Sequence, residues 1–91
     1  MVILKRKKDP DSTIDYTMDW GTKYLNGDII TVSAWVIPTG LNLVSDSNTT
    51  LTTTVFISGG TLGETYRITN RITTAAGRID DRSIDIVMET L

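Results

Sequence analysis

The stretch Gly63–Met88, GETYRITNRITTAAGRIDDRSIDIVM, has the alternating pattern of a long β-hairpin. One face of its first arm carries Tyr66, Ile68, Asn70, Ile72 and Thr74, and one face of its second arm carries Ile84, Ile86 and Met88. Residues 75–78 separate the arms, and Gly77 among them can adopt the positive φ that tight turns require. The pattern therefore predicts two long antiparallel strands joined by a short turn.

The start of this hairpin points to a particular fold. Gly63-Glu64-Thr65-Tyr66 resembles the tyrosine corner of immunoglobulin-like sandwiches, in which a tyrosine hydroxyl binds the backbone of the preceding connection. A seven-stranded sandwich of this kind takes about 100 residues. Because the chain has 91 residues, we expect one domain with a trimmed sandwich.

Four further segments upstream have strand patterns. Residues 14–20 alternate apolar and polar side chains, residues 51–57 form a threonine-rich alternating run, and a short strand is expected at 41–43. Residues 29–37 are mostly apolar, which predicts a strand covered on both sides or one crossing from edge to core. No window favours a helix of useful length. The fold class predicted is all-β: a small immunoglobulin-like β-sandwich of about six to seven strands.

The first 13 residues lack this periodicity and predict an extended basic N-terminal arm, with the sandwich spanning residues 14–91. The basic run could hold phosphate or an acidic protein groove, and the apolar tip could add a strand to a neighbour's sheet. The alternative is a frayed, solvated terminus. The candidate partner-binding residues are Val2, Ile3, Leu4, Lys5, Arg6, Lys7 and Lys8.

Composition narrows the classes of function. The chain has nine basic and eleven acidic residues, so the body outside the four-residue basic run is acidic, which argues against a nucleic-acid partner. It has no cysteine and no histidine, which excludes thiol catalysis and removes the usual general base and transition-metal ligand. No apolar run has membrane-spanning length and no signal-peptide pattern is present, so we expect no membrane partner.

The positions of the aspartates predict solvated turns and surface ion pairs. Asp9, Asp11, Asp80 and Asp81 could form a calcium site only if the arm folded back onto the final turn, and their spacing matches no calcium loop. We therefore expect solvated turns and assign no metal, cofactor or catalytic residue. The polar face of residues 14–20 carries two aspartates that could form cross-strand ion pairs with two arginines of the hairpin; the residues concerned are Asp15, Asp19, Arg67 and Arg71.

Several motifs together resemble a known family. They are Asp9-Pro10-Asp11, Ile14-Asp15-Tyr16 with Asp19-Trp20, Asn26-Gly27-Asp28-Ile29-Ile30, Trp35-Val36-Ile37-Pro38, and the hairpin residues 66–71, 77–78 and 80–83. In this order, from Lys8 onward, the chain resembles the fibre–tail adaptor-like family of small virion proteins from tailed bacteriophages and prophages. The basic start at residues 1–8 has no counterpart in that pattern.

The resemblance implies a non-enzymatic structural component of a tailed-phage virion, made in the bacterial cytoplasm, that links a tail fibre or spike to the tail or neck. Its partners would be other virion proteins, met in multiple copies within a symmetric assembly. Two alternatives remain open. One is a capsid-decoration or head-fibre module, and the other is a carbohydrate-binding sandwich in which Trp20, Tyr24 or Trp35 stacks on sugar rings.

Overall fold

The computed structural model describes residues 2–91, with side chains from Ile3 onward. Seven strands and one short helix lie within this range. They are β1 (Val2–Lys8), β2 (Ile14–Asp19), α1 (Gly21–Leu25), β3 (Ile30–Val36), β4 (Leu41–Asn48), β5 (Thr52–Gly59), β6 (Thr65–Thr74) and β7 (Ile79–Met88). The prediction of an all-β chain is confirmed, because the seven strands account for every element except α1, which is a short helix of five residues.

The strands form two packed sheets, as the sandwich prediction requires. One sheet has the order β1-β7-β6-β3 and the other has the order β2-β5-β4. Neighbouring strands run antiparallel except β1, which runs parallel to β7. Alternate residues of both sheets point into one core, which consists of Tyr16, Met18, Trp20, Leu25, Ile30, Leu41, Val55, Ile57, Ile68, Ile72, Ile84, Ile86 and Met88.

The long hairpin is confirmed as β6 and β7. Residues 75–78 form its turn, where Gly77 has a φ of +90° and donates its N–H to the Thr74 carbonyl at 3.0 Å. The Thr74 N–H in turn donates to the Arg78 carbonyl at 2.9 Å. All the inward residues named for the two arms are buried except Tyr66, which is half-buried. Local alternation and a turn glycine therefore suffice to specify this element.

The tyrosine corner is also present. The Tyr66 hydroxyl accepts a hydrogen bond of 3.1 Å from the Thr61 N–H, five residues upstream. Its ring lies against Gly40, whose φ is +107° and whose position leaves no room for a side chain: an added Cβ would be 2.8 Å from Tyr66 Cε1. The corner thus fixes the connection between β5 and β6 to the turn that precedes β4.

Strand β3 differs from its prediction. The apolar run at 29–37 suggested a strand covered on both sides or one crossing into the core, but β3 is an edge strand with one exposed face. Of its seven residues only Ile30 is buried, while Val32 and Val36 are 55% and 64% exposed. An apolar run is ambiguous in this respect, because it does not reveal whether another layer covers its second face.

The basic N-terminal segment is extended, as expected, but it is part of the sandwich instead of standing apart from it. Val2 to Lys8 pair in register with Arg82 to Met88 of β7. The edge of β7 offers a row of backbone N–H and C=O groups that β1 pairs, and Leu4 packs against the core. Charged side chains at 5–8 conceal the strand alternation, because an edge strand can carry charges on either face.

Candidate docking surface

The open edges of the four-stranded sheet are β1 and β3, and β1 carries the residues predicted to bind a partner. The side chains of Lys5, Arg6 and Lys7 are exposed, and we call these three residues the basic edge. Ile3 is exposed on the outer face of the same strand, whereas Leu4 is half-buried against the core. The side chain of Val2 lies outside the described part of the structure.

Lys8 does not belong to this surface. Its side chain is fully buried, and its Nζ donates to the carbonyl oxygens of Asp9, Ser12 and Gly59 at 3.0, 2.6 and 2.8 Å. Burial lowers the pKa of the Lys8 ammonium, and the nearby charges of Asp9 and Asp11 oppose that shift. The ammonium therefore ties the end of β1 to the end of β5, and the Lys8 side chain lies apart from the exposed cations predicted with it as partner-binding residues.

The exposed cations of the basic edge have few intramolecular partners. Lys7 Nζ lies 3.5 Å from a Glu89 carboxylate oxygen, with both side chains substantially exposed. Arg6 donates to the carbonyl of Lys5, its own neighbour. Lys5 lies opposite Asp85 on the outer face, where that carboxylate is already bound by Arg67. Positive charge is therefore available at this edge for an outside partner.

Ion pairs cover the outer face of β6 and β7, with partners other than those predicted. Arg67 binds Asp85 with two hydrogen bonds of 2.7 and 3.2 Å, and Arg71 binds Asp81 with two of 2.7 and 2.9 Å. The expected partners, on β2, belong to the opposite sheet. Hydrogen bonds from the guanidinium groups lower the pKa of both carboxyl groups.

Three of the four carboxylates considered for calcium have protein partners of their own. Asp80 accepts a hydrogen bond of 2.6 Å from the Tyr24 hydroxyl, Asp81 is paired with Arg71, and Asp9 accepts the Asp11 N–H at 2.9 Å. Within residues 2–91, no three carboxylate, histidine or cysteine side chains converge on a possible metal position.

The aromatic residues considered for sugar stacking are largely covered. Trp20 is 2% exposed, its Nε1 donates to Asn70 Oδ1 at 3.0 Å, and the Arg82 guanidinium lies 4.1 Å from its ring centroid. The same guanidinium lies 5.0 Å from the Tyr24 ring. Trp35 is half-buried against the core, with its Nε1 buried. Since Trp20 is buried and Tyr24 and Trp35 are half-buried, these residues form no exposed platform, and the carbohydrate-binding hypothesis loses its basis.

The structure has a second exposed surface that the sequence patterns did not predict. The open edge of β3 presents Val32 and Val36 to solvent, with Ile29 exposed just before the strand. The signal in the sequence was an absence of charge: residues 29–63 contain one charged side chain, Asp46. We call β3 with these three exposed side chains the uncharged edge.

These features define a small immunoglobulin-like β-sandwich whose exposed sheet edges differ in charge. The family model described as podophage GP4 fiber-tail adaptor protein gp77 matches residues 8–87, and the chain belongs to this family. The matched range begins at residue 8 and therefore does not include the basic edge. The family description is that of a structural phage adaptor.

Comparison with solved structures supports the fold. The solution structure of the PKD domain from the KIAA 1837 protein matches with a TM-score of 0.58 and 20% identity, covering 98% of this chain and 81% of that one. No curated protein matches this chain. Within residues 2–91, no helix has the length and apolar character needed to cross a membrane.

Proposed function

We propose that this protein is a non-enzymatic component of a podophage virion, where it joins a tail fibre or spike to the tail or neck. The observation that carries the proposal is the family match over residues 8–87, which includes most of the sandwich. The composition and the surface ion pairs agree with a docking role and not with catalysis. The chain has no histidine or cysteine to act as base or nucleophile, and the carboxylates at residues 81 and 85 are bound in ion pairs.

The basic edge is the proposed contact with a neighbouring virion protein. An edge strand offers unpaired backbone groups to an added strand, and Lys5, Arg6 and Lys7 add positive charge along it. We propose an acidic segment of a tail or fibre subunit as the partner, because charge complementarity speeds encounter and suppresses wrong pairings. Several copies would bind in this way around the symmetric tail.

The first test compares virions that carry neutralised variants of the chain. Replacing Lys5, Arg6 and Lys7 by Gln removes the charge of the basic edge and leaves the buried Lys8 in place. The matched control is Lys23→Gln, which removes an exposed charge from α1. We expect the triple variant to fold normally but to leave the virions short of fibres, with the control unaffected.

Electron cryomicroscopy of the intact particle tests the location directly. Density for the chain between fibre and tail, with β1 against an adjacent subunit, is the expected result. Density distributed over the capsid lattice would replace the adaptor proposal with the decoration alternative. Fully fibred virions from the triple variant would remove the basic edge from the contact and leave the location to be decided by the density alone.

A further inference from the structure

Strand β3 is an open sheet edge without the usual protection. Natural edge strands carry charged residues, prolines or bulges that discourage pairing with another chain. At the opposite edge of the same sheet, β1 has three exposed basic residues. Strand β3 has one register shift between Ile30 and Val32, and from Val32 to Val36 it is regular and has no charged residue.

The exposed side chains of this edge are apolar. Ile29, Val32 and Val36 are 43%, 55% and 64% exposed. Strand β4, the edge strand of the other sheet that approaches β3, adds exposed Leu43 and Val44. These side chains belong to or adjoin two edge strands that come near each other, and 19 of the 20 charged residues of the chain lie outside positions 29–63. Such a concentration of apolar surface marks an interaction site.

The sequence of β3 is self-complementary in the antiparallel sense. Val32, Ala34 and Val36 lie on the outer face of the sheet, in the rows of Thr73, Arg71 and Thr69 on β6. If two copies pair about a two-fold axis at Ala34, Val32 of each copy lies opposite Val36 of the other. Each pair brings together β-branched side chains, which stabilise a sheet when they face each other.

We propose that the uncharged edge is the contact with a second copy of this chain, formed by antiparallel pairing of β3 with β3 about Ala34. The symmetric pairing brings no like charges together, because neither strand has any, and a charged partner would lose hydration without gaining an ion pair. The result is one continuous eight-stranded sheet with a basic edge at each end. Both basic edges therefore stay open, and the proposal is independent of which virion protein binds them.

The oligomeric state of the purified full chain tests the proposal by sedimentation over a range of concentrations. We expect a reversible dimer. Val36→Lys places a charge opposite the apolar Val32 of the other copy and should weaken dimerisation by roughly tenfold or more. The matched control is Leu62→Lys, an equivalent change at a 58% exposed residue of the β5–β6 connection, which should leave the dimer intact.

Cross-linking provides a second measurement that does not depend on destabilising the strand. Because the chain has no cysteine, Ala34→Cys introduces a single thiol, which should form a covalent dimer under mild oxidation. Ala76→Cys, in the exposed hairpin turn, is the control and should cross-link much more slowly.

Three outcomes would overturn the proposal. One is a monomer at every concentration together with equal cross-linking of the two cysteine variants. Another is a dimer that Val36→Lys does not weaken while circular dichroism shows the variant folded. The third is a monomer in solution whose Val36→Lys variant fails to enter assembled tails, which would assign this edge to a different virion protein.

Discussion

The indole Nε1 of Trp20 donates a hydrogen bond of 3.0 Å to Oδ1 of Asn70, which lies fifty residues later in the chain. The same oxygen accepts the Thr53 hydroxyl at 2.7 Å, and Asn70 Nδ2 donates to Ser33 Oγ and the Ala34 carbonyl at 3.0 and 3.1 Å. One fully buried amide thus joins β3, β5, β6 and the start of α1. Since these elements come from both sheets, Asn70 is a polar centre of the sandwich.

Replacing Asn70 by Ala should therefore be severely destabilising. The change leaves the buried Trp20 and Thr53 donors without acceptors, and we expect a loss of about 3 kcal/mol in the free energy of unfolding. Urea denaturation measures this loss. Asn48→Ala, at an exposed asparagine of β4, is the control and should change stability little. A comparable loss from both substitutions would contradict the role of Asn70.

The tyrosine corner predicts a difference between two glycines of similar backbone conformation. Gly40→Ala and Gly63→Ala both place a side chain at positive φ, +107° and +86°, but only at Gly40 would the new Cβ meet the Tyr66 ring. We expect the Gly40 variant to lose about 1–3 kcal/mol more than the Gly63 variant because of this overlap. Thermal unfolding of the two proteins side by side checks the difference, and equal losses would show that the ring moves aside freely.

Lys5 and Lys8 stand at the two ends of the basic run and have different expected roles. Lys8→Met removes three hydrogen bonds to buried or half-buried carbonyls and should cost about 1–3 kcal/mol of stability. Lys5→Met changes an exposed side chain and should leave the unfolding transition unchanged within roughly 0.5 kcal/mol. Chemical denaturation of both variants separates the structural lysine from the surface one. Unchanged stability of Lys8→Met would mean that its ammonium contributes nothing net.

Acid should weaken the domain through the outer-face ion pairs. Arg71 and Arg67 lower the pKa of Asp81 and Asp85 in the folded state, so the unfolded chain takes up these protons first as the pH falls. The stabilisation is complete at neutral pH, begins to fall near the ordinary aspartate pKa of about 4, and is lost as the pH passes through the lower folded values.

The measurement is the urea midpoint at pH 6 and at pH 3 for the native chain and for an Asp81→Asn, Asp85→Asn variant. We expect a smaller acid-induced drop in the variant. Asp9 and Asp28, whose pKa values are also lowered, chiefly by hydrogen bonds, should contribute to the drop that remains. An identical drop in both proteins would show that the two ion pairs do not contribute.

The contacts of the basic N-terminal run could not be predicted from the sequence and became clear only in the tertiary structure. Its charges conceal the alternation of a strand, and its parallel pairing with β7 joins the two ends of the chain. The burial of Lys8 follows from where β5 ends, because one of its carbonyl acceptors belongs to Gly59. The partners of Arg67 and Arg71 likewise depended on which strands share a sheet, and β2 lies in the other one.

By itself, the sequence determined the local elements: the β6–β7 hairpin with its glycine turn, the tyrosine corner, the all-β class and the family resemblance. These depend on alternation with period two and on backbone preferences of single residues, which act over a few positions. The tertiary structure alone decided which edges stay open, which charges are buried and which are free to bind. Those properties arise from pairing between residues far apart in the chain, and a local pattern does not specify the register or the sheet in which a strand is placed.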